Sequence, residues 1–282
     1  MFVEESAMKI LICTDGSQAA EQAAILVSRL GLSEKTRITI LGVLEGKNGG
    51  DLLKASMDRI NEALGTQYTL ESKIRNGNPI EQILAEAVEY TYELVAVGGG
   101  GQYKGLMHHQ LGSTTSKLAR KIHTHFLVAR TVPKELSRVL ICTGAEAPSV
   151  ETMRIGGELI SKTSARIGLL HVATPGALKT SPLIAPLNED AGSAIDPKSR
   201  EGQLLNRALQ QLRDAGARGK IIPRLRQGLV VDEVLAEVKD GAYDLMVIGA
   251  HYKPGQDRWL GTLLDDVTDQ LLNRATCSVL IV

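Results

Sequence analysis

The chain has 282 residues, with 32 Lys+Arg against 32 Asp+Glu, three Cys, one Trp, six Tyr and two Phe, and at roughly 100–200 residues per domain that length suggests two domains. The charges also balance within each half, 15 basic and 15 acidic residues over 1–135 and 17 of each over 136–282, so no basic field exists to neutralise nucleic-acid phosphates or an anionic membrane. The few aromatics argue against stacking platforms for single strands, three unpaired Cys form neither a disulfide framework nor a zinc site, and an acidic start without a long apolar run points to a cytoplasmic protein.

In chain order, the first predicted strand lies near 8–13 and is continuously apolar, as expected of a strand covered on both faces. Asp15-Gly16-Ser17 follows it, and then Ala20, Ala23, Ala24, Val27 and Leu30 recur at helical spacing. A strand near 38–44, a helix near 51–64 and a strand near 69–75 come next. Asn78, Pro79 and Glu81 carry the start signals of a third helix: a cap, a proline at the first position and the far end of a capping box. The strand at 94–98 runs into Gly98-Gly99-Gly100-Gly101-Gln102, a helix opens at Gly112-Ser113-Thr114, and the apolar residues 126–129 form a closing strand.

The pattern then repeats. Leu11-Ile12-Cys13-Thr14 returns as Leu140-Ile141-Cys142-Thr143, 129 residues on, while Ile83-Leu84-Ala85-Glu86 matches Val234-Leu235-Ala236-Glu237 at an offset of 151, and the closing strand returns at 279–282. The second copy therefore carries an insertion of about 22 residues, best placed in the Pro- and Ser-bearing stretch from 174 to 197. The alternation of strands and helices predicts α/β domains in tandem, 1–133 and 136–282, each a doubly wound five-stranded parallel sheet with helices on both faces. The fifth strand of each would be an open apolar edge, so 126–129 and 279–282 are expected to pair within one chain as a pseudo-dimer. Pairing of whole chains into a homodimer stays open.

Ligands of doubly wound sheets sit beyond the carboxyl ends of the strands, where the strand order reverses. That singles out the segments after the first and fourth strands. Asp15 is either a helix cap or an acceptor for a ribose hydroxyl or base amine. The glycine run with the Gly112-Ser113 helix start is either a flexible turn with an ordinary cap or a backbone cradle for phosphates.

With both segments in view, the chain resembles the tandem universal stress proteins over nearly its full length. The resemblance implies the strand order 3-2-1-4-5 and, for the nucleotide-binding branch, an aspartate after the first strand and G-x2-G-x9-G-[ST] after the fourth. Asp15, preceded by Thr14, takes the aspartate position, and Val43 falls where the family contacts adenine through its backbone. Gly99, preceded by Gly98, is the first motif glycine, and Gly112 and Ser113 are the closing pair, followed by Thr114. Gln102 holds the second glycine position, which Gly101 beside it would serve by a one-residue shift. The implied ligand of the first copy is an adenine nucleotide, ATP, with or without Mg2+. The implied role is a stress-response module whose occupancy, by ordering loop 99–111, signals to a protein partner as yet unidentified.

The second copy departs from that pattern. Gly144 replaces the aspartate, Tyr252 stands at the second glycine, and Asp265-Asp266 replace Gly112-Ser113. Two carboxylates there would repel a triphosphate by about 1 kcal/mol per charge pair at 4 Å in water, so this copy is read as not binding ATP. His108, His109 and Lys104 are read as loop residues, Trp259 as filler in the second copy's loop, and the cysteines as small core hydrophobes. No P-loop, nucleophile elbow or zincin motif occurs. A binding protein is therefore favoured over an enzyme, with a nucleotide-free scaffold or a slow ATPase as the alternatives.

Overall fold

The computed structural model describes residues 8–46, 49–100, 111–130, 132–144, 148–173, 195–250 and 266–282. The first half runs β1 (Lys9–Thr14), α1 (Gln18–Ser28), β2 (Arg37–Leu44), α2 (Gly50–Leu64), β3 (Thr69–Asn76), α3 (Pro79–Glu89), β4 (Leu94–Gly98), α4 (Ser113–Ala119) and β5 (His125–Ala129). The second runs β6 (Arg138–Cys142), α5 (Pro148–Ile160), β7 (Arg166–Ala173), α6 (Arg200–Asp214), β8 (Ile221–Gln227), α7 (Val230–Gly241), β9 (Leu245–Ile248), α8 (Asp266–Arg274) and β10 (Ser278–Ile281).

The ten strands form one sheet in the order β3-β2-β1-β4-β5-β10-β9-β6-β7-β8. Each half thus has the order 3-2-1-4-5, with parallel neighbours throughout. The halves meet where β5 and β10 pair antiparallel, Val128 opposite Val279, Leu127 opposite Leu280 and Phe126 opposite Ile281. The expected pseudo-dimer is present, and it turns two five-stranded sheets into one.

Continuous apolar strands follow from this layering. In β1, Ile10 and Ile12 face one buried cluster while Leu11 and Cys13 face the other. A strand sandwiched between two helix layers needs apolar side chains on both faces. Helix starts are set locally: Ser17 caps α1 by accepting from the Ala20 amide, and Asn78 caps α3 by accepting from the Ile80 and Glu81 amides.

Each outer edge is tied down by a buried glutamate. Glu86 of α3 is fully buried, accepts from Tyr92 Oη at 2.9 Å and from Lys73 Nζ at 3.0 Å, and forms an ion pair with Arg75. The second half repeats the arrangement 151 positions later, with Arg224 in place of Lys73. Glu237 accepts from Tyr243 Oη at 3.0 Å and from Arg226 Nε at 2.7 Å, with Arg224 at 3.7 Å. Beside these carboxylates, burial and the glutamate charge both push the Tyr92 and Tyr243 hydroxyls up from their ordinary range.

Glu86→Ala should destabilise the protein by about 1–3 kcal/mol, the cost of stranding its donors. Glu237→Ala should cost more, because Arg224 and Arg226 are only 12% and 16% exposed and rehydrate less than Lys73 and Arg75 at 21% and 26%. Urea unfolding of the two variants checks both the size and the order. Residues 1–133 expressed alone should dimerise or aggregate through the uncovered β5 edge; a clean monomer by light scattering would contradict this.

Candidate functional site

β1 and β4 are neighbours with Ile12 opposite Ala96, so they end side by side at Thr14 and Gly98. Thr14 is buried, lies 3.1 Å from Ser56 Oγ of α2, and accepts from the Gly16 amide at 3.1 Å. Asp15, the next residue, is exposed. It does not cap α1; that role falls to Ser17, and the Asp15 carboxylate instead accepts from the Ser17 amide at 3.0 Å. The turn holds the acid at the strand end and leaves its other oxygen outside that bond. Val43 lies near the end of β2, its side chain buried in the core.

The glycines beyond β4 are close-packed. A Cβ on Gly98 would overlap the backbone carbonyl of Ala19, and Gly98 O accepts from Thr115 Oγ1 at 3.0 Å. The Gly99 amide donates to Ala129 O at 2.6 Å, and the Gly112 amide donates to Gly99 O at 3.0 Å. Gly100 has φ +33°, a left-handed backbone suited to glycine, and a Cβ on Gly112 would come 2.5 Å from Gly100 O. At Gly98 and Gly112 there is thus no room for a side chain, and what these positions present is backbone. Gly112 is the N-cap of α4, and Ser113 is its first residue rather than its cap. Ser113 and Thr114 are exposed beside it, while Thr115 is buried. Thus Thr14, Asp15, Gly98, Gly99, Gly112, Ser113 and Thr114 cluster around two adjacent strand ends, with Val43 one strand over. Gly101 lies outside the described residues, as do Gln102, Lys104, His108 and His109.

Cys13 sits immediately before this site, but burial raises its thiol well above the ordinary range, and it packs as a hydrophobe. Burial likewise pushes Cys277 up to about 12. Among the described residues no group of three His, Cys, Asp or Glu stands together as a metal cage, and no helix is long and apolar enough to cross a membrane.

The same place in the second half is built differently. Gly144 follows the buried Thr143, whose carbonyl lies 3.0 Å from His171 Nδ1. A carbonyl can only accept, so Nδ1 carries the proton. Thr143, His171, Gly249, Thr152 and Thr268 line a cavity of about 140 Å³ walled by Val234, Ile248 and Leu271 among others. These residues escaped the sequence reading; the signal for His171 was its alignment with Gly42 across the repeat, a large polar group where the first half has none. Asp266 opens α8 in register with Ser113 of α4, and it is exposed. Tyr252, Trp259 and Asp265 lie outside the described residues.

The universal stress protein family profile matches the chain twice, over residues 7–130 and 135–282. A universal stress protein from Archaeoglobus fulgidus DSM 4304 is similar in structure, with a TM-score of 0.67, 13% identity and 98% of each chain covered. A functionally unknown protein from Pseudomonas aeruginosa PAO1 has a TM-score of 0.69 and 12% identity, over 98% of this chain and 92% of that one. Likeness at such identity speaks for the fold alone. No curated protein sequence matches. Two family matches that together take in nearly the whole chain, on a duplicated 3-2-1-4-5 sheet, leave one conclusion: the chain belongs to the universal stress protein family.

Proposed function

We propose that the first half binds an adenine nucleotide, ATP in the first instance, and that its occupancy is the signal this stress-family protein passes to a partner. The observation that carries this reading is the side-by-side ending of β1 and β4, which sets the exposed Asp15 beside a strand end where Gly98 and Gly112 leave no room for side chains. The carboxylate suits a ribose hydroxyl or base amine. The glycine backbone allows phosphate oxygens to approach closely. Any Mg2+ would arrive on the phosphates, as that ion commonly does, rather than in a cage of protein ligands. A ligand that favours one conformer of the surrounding surface shifts the population toward it.

The second half is read as not binding the nucleotide. Gly144 offers no carboxylate, and Asp266 adds a negative charge where a triphosphate would lie. Binding without catalysis is the favoured mode, since the chain carries no P-loop, nucleophile elbow or zincin motif.

Calorimetry should find one ATP site per chain, strongly weakened by Asp15→Ala with little change in stability, because Asp15 is exposed and gives up one turn hydrogen bond. In thermal unfolding, ATP at 100 times its Kd should stabilise the wild type by about 2.7 kcal/mol. No heat of binding at millimolar ATP would overturn the reading.

A further inference from the structure

The ten-stranded sheet ends on β3 at one side and β8 at the other, and among the described residues neither pairs with a strand on its outer side. An open edge presents a row of unpaired backbone groups. Bonds at the strand ends show which residues present them. The Thr69 amide donates to Thr36 O at 3.3 Å, and the Gly77 amide donates to Leu44 O at 3.0 Å. Bonding sides alternate along a strand, so the odd-numbered residues of β3 bond inward to β2, while Leu70, Ser72 and Ile74 turn N–H and C=O outward. In β8 the Gly228 amide donates to Ala173 O at 3.1 Å and Lys220 O accepts from the Ile167 amide at 2.8 Å, which turns Ile221, Pro223 and Leu225 outward.

The two edges are guarded differently. Ser72 and Pro223 hold the same place in their halves, opposite Ile40 of β2 and Leu169 of β7. A proline there has no N–H to offer a further strand, which is why sheets tolerate it at an edge. The charged side chains of β8, Arg224 and Arg226, are both cations, so a second β8 would be repelled. β3 has neither guard. It runs from Thr69 to Asn76 without a proline, mixes Glu71 with Lys73 and Arg75, and leaves Ile74 50% exposed.

We infer that two copies of the chain join edge to edge through β3, antiparallel and centred on Ser72. In that register Ser72 faces Ser72, Leu70 faces Ile74 and Glu71 faces Lys73, the last two pairs occurring on both sides of the axis. The outward-turned residues exchange two backbone hydrogen bonds per pair, and Glu71 meets Lys73 at the closer, non-hydrogen-bonded positions. Leu70 of one copy covers the exposed Ile74 of the other. Opposite charges facing across strands favour a pairing and like charges oppose it. Neighbouring registers fail on this count: an axis at Glu71 or Lys73 sets that residue against itself, and one at Ile74 sets Lys73 against Arg75. An axis at Leu70 leaves Ile74 with no facing residue in the strand. Because β8 is guarded, the association closes at two copies instead of growing into a filament. It extends the sheet as the β5–β10 junction does within the chain, and it is independent of nucleotide binding.

Sedimentation velocity of the full chain should show a dimer at high micromolar concentration that dissociates on dilution. Ser72→Pro puts the second half's own residue on the axis and removes the N–H donated across it, so it should leave a monomer with unchanged circular dichroism. Glu71→Lys, at a side chain 62% exposed and therefore safe for folding, sets lysines opposite each other on both sides of the axis and should weaken the dimer by ~10-fold or more. In hydrogen exchange, the Leu70 and Ile74 amides should slow as concentration rises in the wild type and not in Ser72→Pro. A wild type that stays monomeric, an assembly of more than two chains, or a dimer undiminished by folded Ser72→Pro or Glu71→Lys would each overturn the proposal. So would Leu70 and Ile74 amides whose exchange is indifferent to concentration.

Discussion

The antiparallel pairing of β5 with β10 is the constraint on which the rest of the molecule turns. Three facing residue pairs join two open sheet edges, and fully buried Leu127 and Leu280 lie opposite each other at the centre. An unpaired apolar edge invites other strands; here duplication supplies the partner within the same chain. Because the junction is antiparallel, the strands of the two halves point opposite ways. The carboxyl-end clusters therefore lie at opposite ends of the sheet rather than facing one another. Further contacts follow from the same geometry: the Gly31 amide donates to Leu159 O at 2.6 Å, and Arg120 grips Asp269 with two bonds of 3.0 Å.

Symmetry of backbone does not carry symmetry of chemistry. The glutamate networks at the outer edges are retained in both halves, each closed by two cations and a tyrosine. Buried charge of this kind is costly unless every partner is in place, which explains why a glutamate, a tyrosine and two cations recur together. The strand-end clusters are under no such requirement, since much of each is exposed. They have diverged: a carboxylate and close-packed glycines in one half, a glycine, a histidine and a small cavity in the other.

Much of this was legible in the residues. The continuous apolar strands, the Asn78-Pro79 helix start and the 129-, 151- and 153-residue offsets specify a duplicated α/β domain, since a strand buried on both faces must be apolar at every position. The edge pairing was legible too, because the closing strands are apolar and a lone apolar edge is a liability. Cap assignment was less so. Asp15 and Ser17 are both good cap residues two positions apart, and only the backbone course decides that Ser17 caps while Asp15 closes the turn before it. Likewise Gly112, not Ser113, takes the cap position of α4. The Glu86 network left a trace in the repeated Ile-Leu-Ala-Glu and Val-Leu-Ala-Glu segments, yet its cations lie 11 to 13 residues away on another element, beyond any local pattern.

The sequence alone determined the class of fold, the duplication and the positions at which backbone must pass without side chains, because periodicity and glycine act through local conformation and the number of faces a strand buries. Tertiary structure decided which of those positions meet: that Thr14 and Gly98 end together, that Gly98 presses on Ala19, and that Arg130 crosses to Leu272. These are contacts between elements brought together by strand order and by the antiparallel junction. Spacing along the chain holds no record of them.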